Sequence, residues 1–310
     1  MALDLVDLDQ DLPGQREFIS CWVGRGPGAT FLVDPGPRAT AGRLVERLRG
    51  LGVTRLDWIL LTHIHLDHAG GTAAIAAAYP EARVVCHENG RGHLADPRRL
   101  WAGSRAVLGR AAEVYGEPSP VAAERFADRD DLAGAVFARA GLRIVPTPGH
   151  APHHLCFVHD RTLFVGEAAG TFAQLPDGGR YLRPATPPRF FLPVALDSLD
   201  RLIALDPAPV RLAFGHHGLA EGDARNLLNA ARHQLERWVS ALRHERRGGE
   251  GLGDGGPESL LGRVHAKLLA EDPHYARWSQ LPADIREREL VFTRQTLTGM
   301  LGFLDGQAGR

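Results

Sequence analysis

THIHLDHAGG, residues 62–71, sets His63, His65, Asp67 and His68 within six positions, between the apolar run WILL (58–61) and a pair of glycines. Such a cluster is ill-suited to filling a core, because buried imidazoles and carboxylates without partners are costly. As metal ligands the same residues make sense. If WILL is a strand, the cluster lies on the loop leaving its carboxyl end, a common place for functional groups in sheets with helical covers. His63 and His65, two apart in an extended segment, point the same way, while Asp67 and His68 follow where the chain turns into a helix. One loop then serves two metal positions, and the glycines allow it a tight backbone. Neutral imidazole and carboxylate suit zinc, and also iron or manganese.

The chain around this loop has 310 residues, of which 44% are hydrophobic, enough for one large or two ordinary packed domains. Its 36 basic and 37 acidic residues nearly cancel. That balance provides no global field for nucleic acid or a membrane surface and argues against a nuclease. Cys21, Cys86 and Cys156 are odd in number and never in CxxC spacing, so neither a disulfide framework nor a zinc finger is indicated, and a reducing compartment fits. The opening MALDLVDLDQDLPG carries acidic residues where a signal peptide would be positive and apolar, and no stretch approaches the roughly 18 apolar residues of a membrane span. The expectation is a soluble, cytoplasmic protein acting on a small molecule, with no nucleic-acid or membrane partner.

Up to about residue 222 the chain consists of short apolar runs broken by Gly and Pro. EFISCWVG, ATFLVDPG, LDWILLT, ARVVCH, LRIVPTPG, HLCFVHD and TLFVGE read as strands, and TAGRLVERLRGLG and GTAAIAAAYP as helices. Strands and helices alternate, but the return at HLCFVHDRTLFVGE is hairpin-like, so a mixed sheet or sheet pair flanked by helices is expected. Past residue 222 the texture becomes helical: ARNLLNAARHQLERWVSALRHERR, PESLLGRVHAKLLAED and RELVFTRQTLTGMLGFL place apolar residues at helical spacing among charges. The boundaries expected are a first domain at 1–222 and a helical one at 223–310. GGEGLGDGGP (248–257) reads as a flexible loop between two of those helices.

Three further stretches repeat the pattern of strand, tight turn and polar residue. PTPGH ends on His150, FVGE on Glu167, and LAFGHHG presents His216 and His217. A glycine precedes the first candidate ligand each time, allowing backbone angles that other residues resist. Of the His216–His217 pair, His216 is preferred because it follows Gly215 directly, whereas His153 and His154 are expected to pack or face solvent.

With these four corners in one chain, the sequence resembles the metallo-beta-lactamase fold hydrolases, which include glyoxalase II and quorum-quenching lactonases. The resemblance rests on THxHxDHxGG, TPGH, a GD-like corner and a late GH, and runs from about residue 18 to 218. It implies a four-layer αββα sandwich, here with an added C-terminal helical region, and a dinuclear site in the cleft between two sheets. By that resemblance His63, His65 and His150 hold one metal, and Asp67, His68 and His216 the other. Glu167 stands where the family has a bridging Asp. Asp34 and Asp57 would lie near the loop that bears the ligand histidines, where a carboxylate can accept a ligand imidazole's N–H and fix its tautomer.

Two divalent ions are thus implied, with zinc first and iron or manganese open. A water between two cations loses its proton near neutral pH and attacks a carbonyl or phosphoryl centre, while the same cations stabilise the developing oxyanion. Asp67 is the catalytic candidate for orienting that hydroxide and passing a proton to the leaving group. RYLRPATPPRFF, read as a proline-stiffened substrate loop, presents Arg180, Tyr181, Arg183 and Arg189, and Tyr181 is chosen as a substrate-polarising hydroxyl. The GHAPHHLCF run is similar to the GHTPGH pattern of the glyoxalase II and lactonase branches, so the leading expectation is hydrolysis of a small ester, thioester or lactone. The alternatives are an iron-dependent oxidoreductase resembling persulfide dioxygenases and a phosphodiesterase. Flavodiiron proteins carry Glu at the position where His65 stands. The amphipathic C-terminal helices are expected to cover the cleft or to join two chains in a homodimer.

Overall fold

Alternation of side chains along the strands builds the layers. In β3 (Thr30–Val33), Phe31 and Val33 face one way and Leu32 the other; in β4 (Trp58–Leu60), Trp58 and Leu60 oppose Ile59. The computed structural model describes residues 2–26, 28–133, 137, 139–249 and 256–308. The glycine-rich loop expected at 248–257 lies largely outside the described residues.

β3 and β4 belong to a five-stranded sheet of order β1-β2-β3-β4-β5, with β1 (Ala2–Asp7), β2 (Ser20–Arg25) and β5 (Arg83–Val85). The β3–β4 and β4–β5 pairs are parallel and the others antiparallel. A second five-stranded sheet has the order β12-β11-β8-β7-β6, formed by β6 (Arg143–Pro146), β7 (Leu155–His159), β8 (Thr162–Gly166), β11 (Arg211–Phe214) and β12 (Leu219–Glu221). Here only β8 and β11 run parallel.

Between the sheets lies one core, in which Trp22, Phe31, Trp58 and Leu60 meet Leu155, Phe157, Phe164 and Ala213. The opposite face of the first sheet buries Cys21, Val23, Leu32 and Ile59 with Leu44 and Leu48 of helix Ala41–Gly50 and Ile75 of helix Thr72–Ala78. The outer face of the second sheet buries Leu163, Val165, Leu212 and Phe214 with Leu199 of helix Leu192–Ile203 and Trp238 of helix Ala224–Gly249. Three apolar seams between four layers make the αββα sandwich that the motif order implied, and burying each large side chain contributes about 1.5–3 kcal/mol.

The tail helices Ala224–Gly249, Gly256–Glu271 and Ala283–Ala308 share the outer core of the second sheet through Leu227, Val264, Leu268, Leu297 and Met300. Among the described residues, no helix is long and apolar enough to cross a membrane. The expected substrate loop at 180–191 begins differently. Residues Arg180–Arg183 form strand β10, paired antiparallel with β9 (Thr171–Gln174), because two adjacent apolar side chains, Tyr181 and Leu182, can both be buried there.

Candidate metal centre

The decisive loop leaves β4 under close control. Asp34, just past β3, accepts from Thr62 N–H (2.8 Å), from the Thr62 hydroxyl (2.6 Å) and from His68 Nδ1–H (2.9 Å). Its backbone is left-handed at φ 54°, a conformation that Asp tolerates better than most residues and that aims its carboxylate back at the loop. Since the Thr62 proton goes to Asp34, its oxygen is free to accept from His63 Nδ1–H at 3.0 Å. The glycine pair then lets the helix start at Leu66–Ala69 pack on the Pro35–Arg38 turn: a Cβ on Gly70 would lie 3.0 Å from the Arg38 nitrogen.

His63 Nε2 lies 3.0 Å from His65 Nδ1, which lies 3.1 Å from His150 Nε2. Zinc–nitrogen bonds of about 2.0–2.1 Å at tetrahedral angles place ligand nitrogens about 3.3 Å apart, so this spacing fits one shared cation. His150 is oriented by donating Nδ1–H to the Ala185 carbonyl at 3.0 Å. The second group comprises Asp67, His68 and His216: Asp67 Oδ2 stands 3.6 Å from His68 Nε2 and 3.7 Å from His216 Nε2. His216 donates Nδ1–H to the Phe18 carbonyl at 3.3 Å. Each of these bonds places a ring proton on the nitrogen facing away from the centre, leaving a lone pair directed inward.

Glu167 lies between the groups. Its Oε2 is 2.9 Å from His150 Nε2 and 3.4 Å from both His63 Nε2 and His68 Nε2, while Oε1 is 3.5 Å from His216 Nε2. Gly166 permits this with φ 53°, and the Glu167 N–H donates to His154 Nε2 at 3.2 Å. At Gly215 the need is space rather than backbone angle, because a Cβ would sit 2.7 Å from His68 Cε1.

Burial pushes the His63 imidazole well below its usual range and His65 down to about 3, so both remain neutral donors. Burial would also lower His150 and raise Glu167, but their mutual contact outweighs it: His150 is held up and Glu167 is held well down. His68 Nε2 is buried and has no hydrogen-bond partner. An orphaned imidazole nitrogen facing two carboxylates and other lone pairs is a poor arrangement for a packed interior and a good one for a cation, so the residues fit divalent metal.

Tyr181 is a correction. Its side chain is fully buried and its hydroxyl donates to Glu289 Oε2 at 2.9 Å, so it meets the tail helix rather than a substrate. Arg183 is likewise buried and ion-paired with Glu289; Arg180 donates to the Glu221 carbonyl at 3.0 Å, and Arg189 is exposed. Asp57 caps backbone, accepting from Thr30 N–H at 2.8 Å, and is not joined to a ligand histidine. His217 accepts from Arg288 at 2.6 Å and turns from the centre, leaving His216 as the inward residue of the pair. Sequence reasoning assigned no role to Phe18, Thr62 or the Ala185 carbonyl, which hold His216, Asp34 and His150 across segments brought together by folding; His154, expected to pack or face solvent, is buried and accepts from the Glu167 N–H.

The metallo-beta-lactamase superfamily model matches residues 14–216, and the chain belongs to that family. It is 32% identical over 212 residues, 66% of this chain and 74% of the other, to the metallo-beta-lactamase fold-containing protein ST1585 of Sulfurisphaera tokodaii. With the hydroxyacylglutathione hydrolase of Acidiphilium cryptum it is 31% identical over 199 residues, 63% of each chain. In fold it is similar to the crystal structure of ST1585 at TM-score 0.65 and 20% identity, with 97% of this chain and 98% of that one covered. Its family and relatives make it a metal-dependent hydrolase.

Proposed function

We propose that the protein hydrolyses a small ester, thioester or lactone at a two-ion centre. The observation that carries this is the Glu167 carboxylate, which lies within 3.5 Å of imidazoles from both ligand groups and joins them into one site. The relatives named hydroxyacylglutathione hydrolase support an acyl substrate. Two divalent ions, zinc or else iron or manganese, supply acidification of a water and polarisation of the carbonyl when bound. His63, His65 and His150 would hold the first, Asp67, His68 and His216 the second, and Glu167 would bridge them.

The chain's own contribution is placement and proton handling. With Oδ2 facing His68 and His216, Asp67 uses its other oxygen to orient the attacking water and to pass a proton to the leaving group. A small cavity with both polar and apolar walls, among them Thr186, Ser198, Phe190 and Leu199, adjoins His150 and Glu167 on the side from which the acyl portion would approach. The test is elemental analysis of purified protein beside a panel of thioester, ester, lactone, phosphodiester and persulfide substrates. The expected result is about two ions per chain and turnover of an acyl substrate. One ion or fewer in metal-replete protein, or turnover confined to the persulfide or the phosphodiester, would replace this reading.

A further inference from the structure

The tail helix Ala283–Ala308 reaches the metal centre through a stack of three planar groups. The Arg288 guanidinium carbon lies 4.0 Å from the centroid of the Phe18 ring. The His216 imidazole is stacked on the same Phe18 ring, its centroid at 4.0 Å and its plane only 5° from parallel. The same Phe18 fixes His216 a second time, since its carbonyl accepts His216 Nδ1–H at 3.3 Å and His217 N–H at 3.0 Å. The isolated bridge between Ile19 and His216 ties the backbones together.

Arg288 is itself immobilised. It donates to the Gly14 carbonyl, to His217 Nε2 at 2.6 Å and to Glu289 Oε1 at 2.9 Å, and Glu289 is paired in turn with Arg183 and Tyr181. Both Arg288 and Phe18 are buried, at 6% and 1% exposure. A cation over a desolvated ring is attracted to the ring's negative face, so the guanidinium holds Phe18 in place against the imidazole. Fixing a ligand ring in its binding orientation is what outer partners of metal sites do, and their loss commonly weakens affinity by about 10–100-fold.

We infer that Arg288 is a positioning residue for the second metal position, acting through Phe18 to hold His216 Nε2 toward Asp67 and His68. This rests on the two-ion reading above. Among the described residues the Phe18 ring meets the rings of His216, His217 and Phe292 and none of His63, His65 or His150, so the effect should fall on one ion and spare the other.

The test titrates metal-free full-length protein with Co²⁺ against a competing chelator, following the visible absorption of each ion as it binds. Arg288→Met is expected to weaken the second ion by roughly 10-fold or more, shift its absorption and leave the first unchanged. Because Arg288→Met leaves Glu289 with fewer partners and could impair folding, Phe18→Leu serves as the second variant. It removes the intervening ring while keeping the Arg288 charge, and the same selective weakening is expected. Wild-type protein that binds two ions, with either folded variant binding both as tightly or losing both equally, overturns the role of Arg288. Wild-type protein that binds a single ion overturns the two-ion reading and this inference together.

Discussion

The two ligand groups use the same chemistry but are held by different parts of the chain. His63 is steadied by its neighbour Thr62, and His150 by a carbonyl of the nearby 184–188 turn. His68 and His216 depend on Asp34, Phe18 and, beyond Phe18, Arg288 near the chain's far end. The first group is therefore assembled largely from the two sheet-end loops, whereas the second is clamped between the N-terminal segment and the tail helix.

The most drastic way to break this contrast is to end the chain at residue 222. The lost helices carry Leu227, Leu228, Trp238, Val264, Leu268 and Leu297 of the outer core. At about 1.5–3 kcal/mol each, these six alone rival the about 5–15 kcal/mol net stability of a whole domain. The shortened protein should aggregate or bind a hydrophobic dye strongly, as read by light scattering and fluorescence. A soluble, fully active product would show that the tail supports neither the core nor the second group.

A smaller and more local effect is expected where the groups meet. Glu167→Gln keeps the size but removes the charge facing four imidazoles, and should lower metal content measurably. Glu167→Asp retains the charge on a shorter arm, and should keep metal and at least part of the activity. Equal metal content in the Gln variant, measured by elemental analysis, would mean that the carboxylate does not join the groups.

The smallest effect sharpens the comparison from outside the centre. Tyr181→Phe removes one buried hydrogen bond to a charged partner, a loss of about 1.5–3 kcal/mol in stability, and touches no substrate. Thermal unfolding should shift to lower temperature while turnover at a permissive temperature stays near wild type. A large fall in turnover without a stability change would return Tyr181 to the active site.

Much of this centre was legible because metal ligation uses few residue types at short spacing. HIHLDH announces itself within six positions, and the glycine before His150, Glu167 and His216 marks the ends of strands. The seven strands read from apolar runs are all present, since a short apolar run bounded by Gly, Pro or Asp is a local signal. RYLR was read with the prolines that follow it as part of a stiffened substrate loop, whereas it is a strand in which Arg183 is neutralised by Glu289, 106 positions away. Nothing local to either residue signals that pairing.

The sequence by itself determined the sandwich's strand-forming runs, the helical texture of the tail and the identity of the clustered imidazoles and carboxylates, because periodicity and residue chemistry act over a few positions. Tertiary structure alone decided which nitrogen of each ring faces inward, that Glu167 spans both groups, that Tyr181 belongs to the core, and that Phe18 and Arg288 lie against His216. Most of those outcomes depend on contacts between segments distant in the chain, such as the 198 positions separating His216 from the Phe18 carbonyl to which it donates. Such contacts come into being only when burial of three apolar seams brings the two sheets and the tail together.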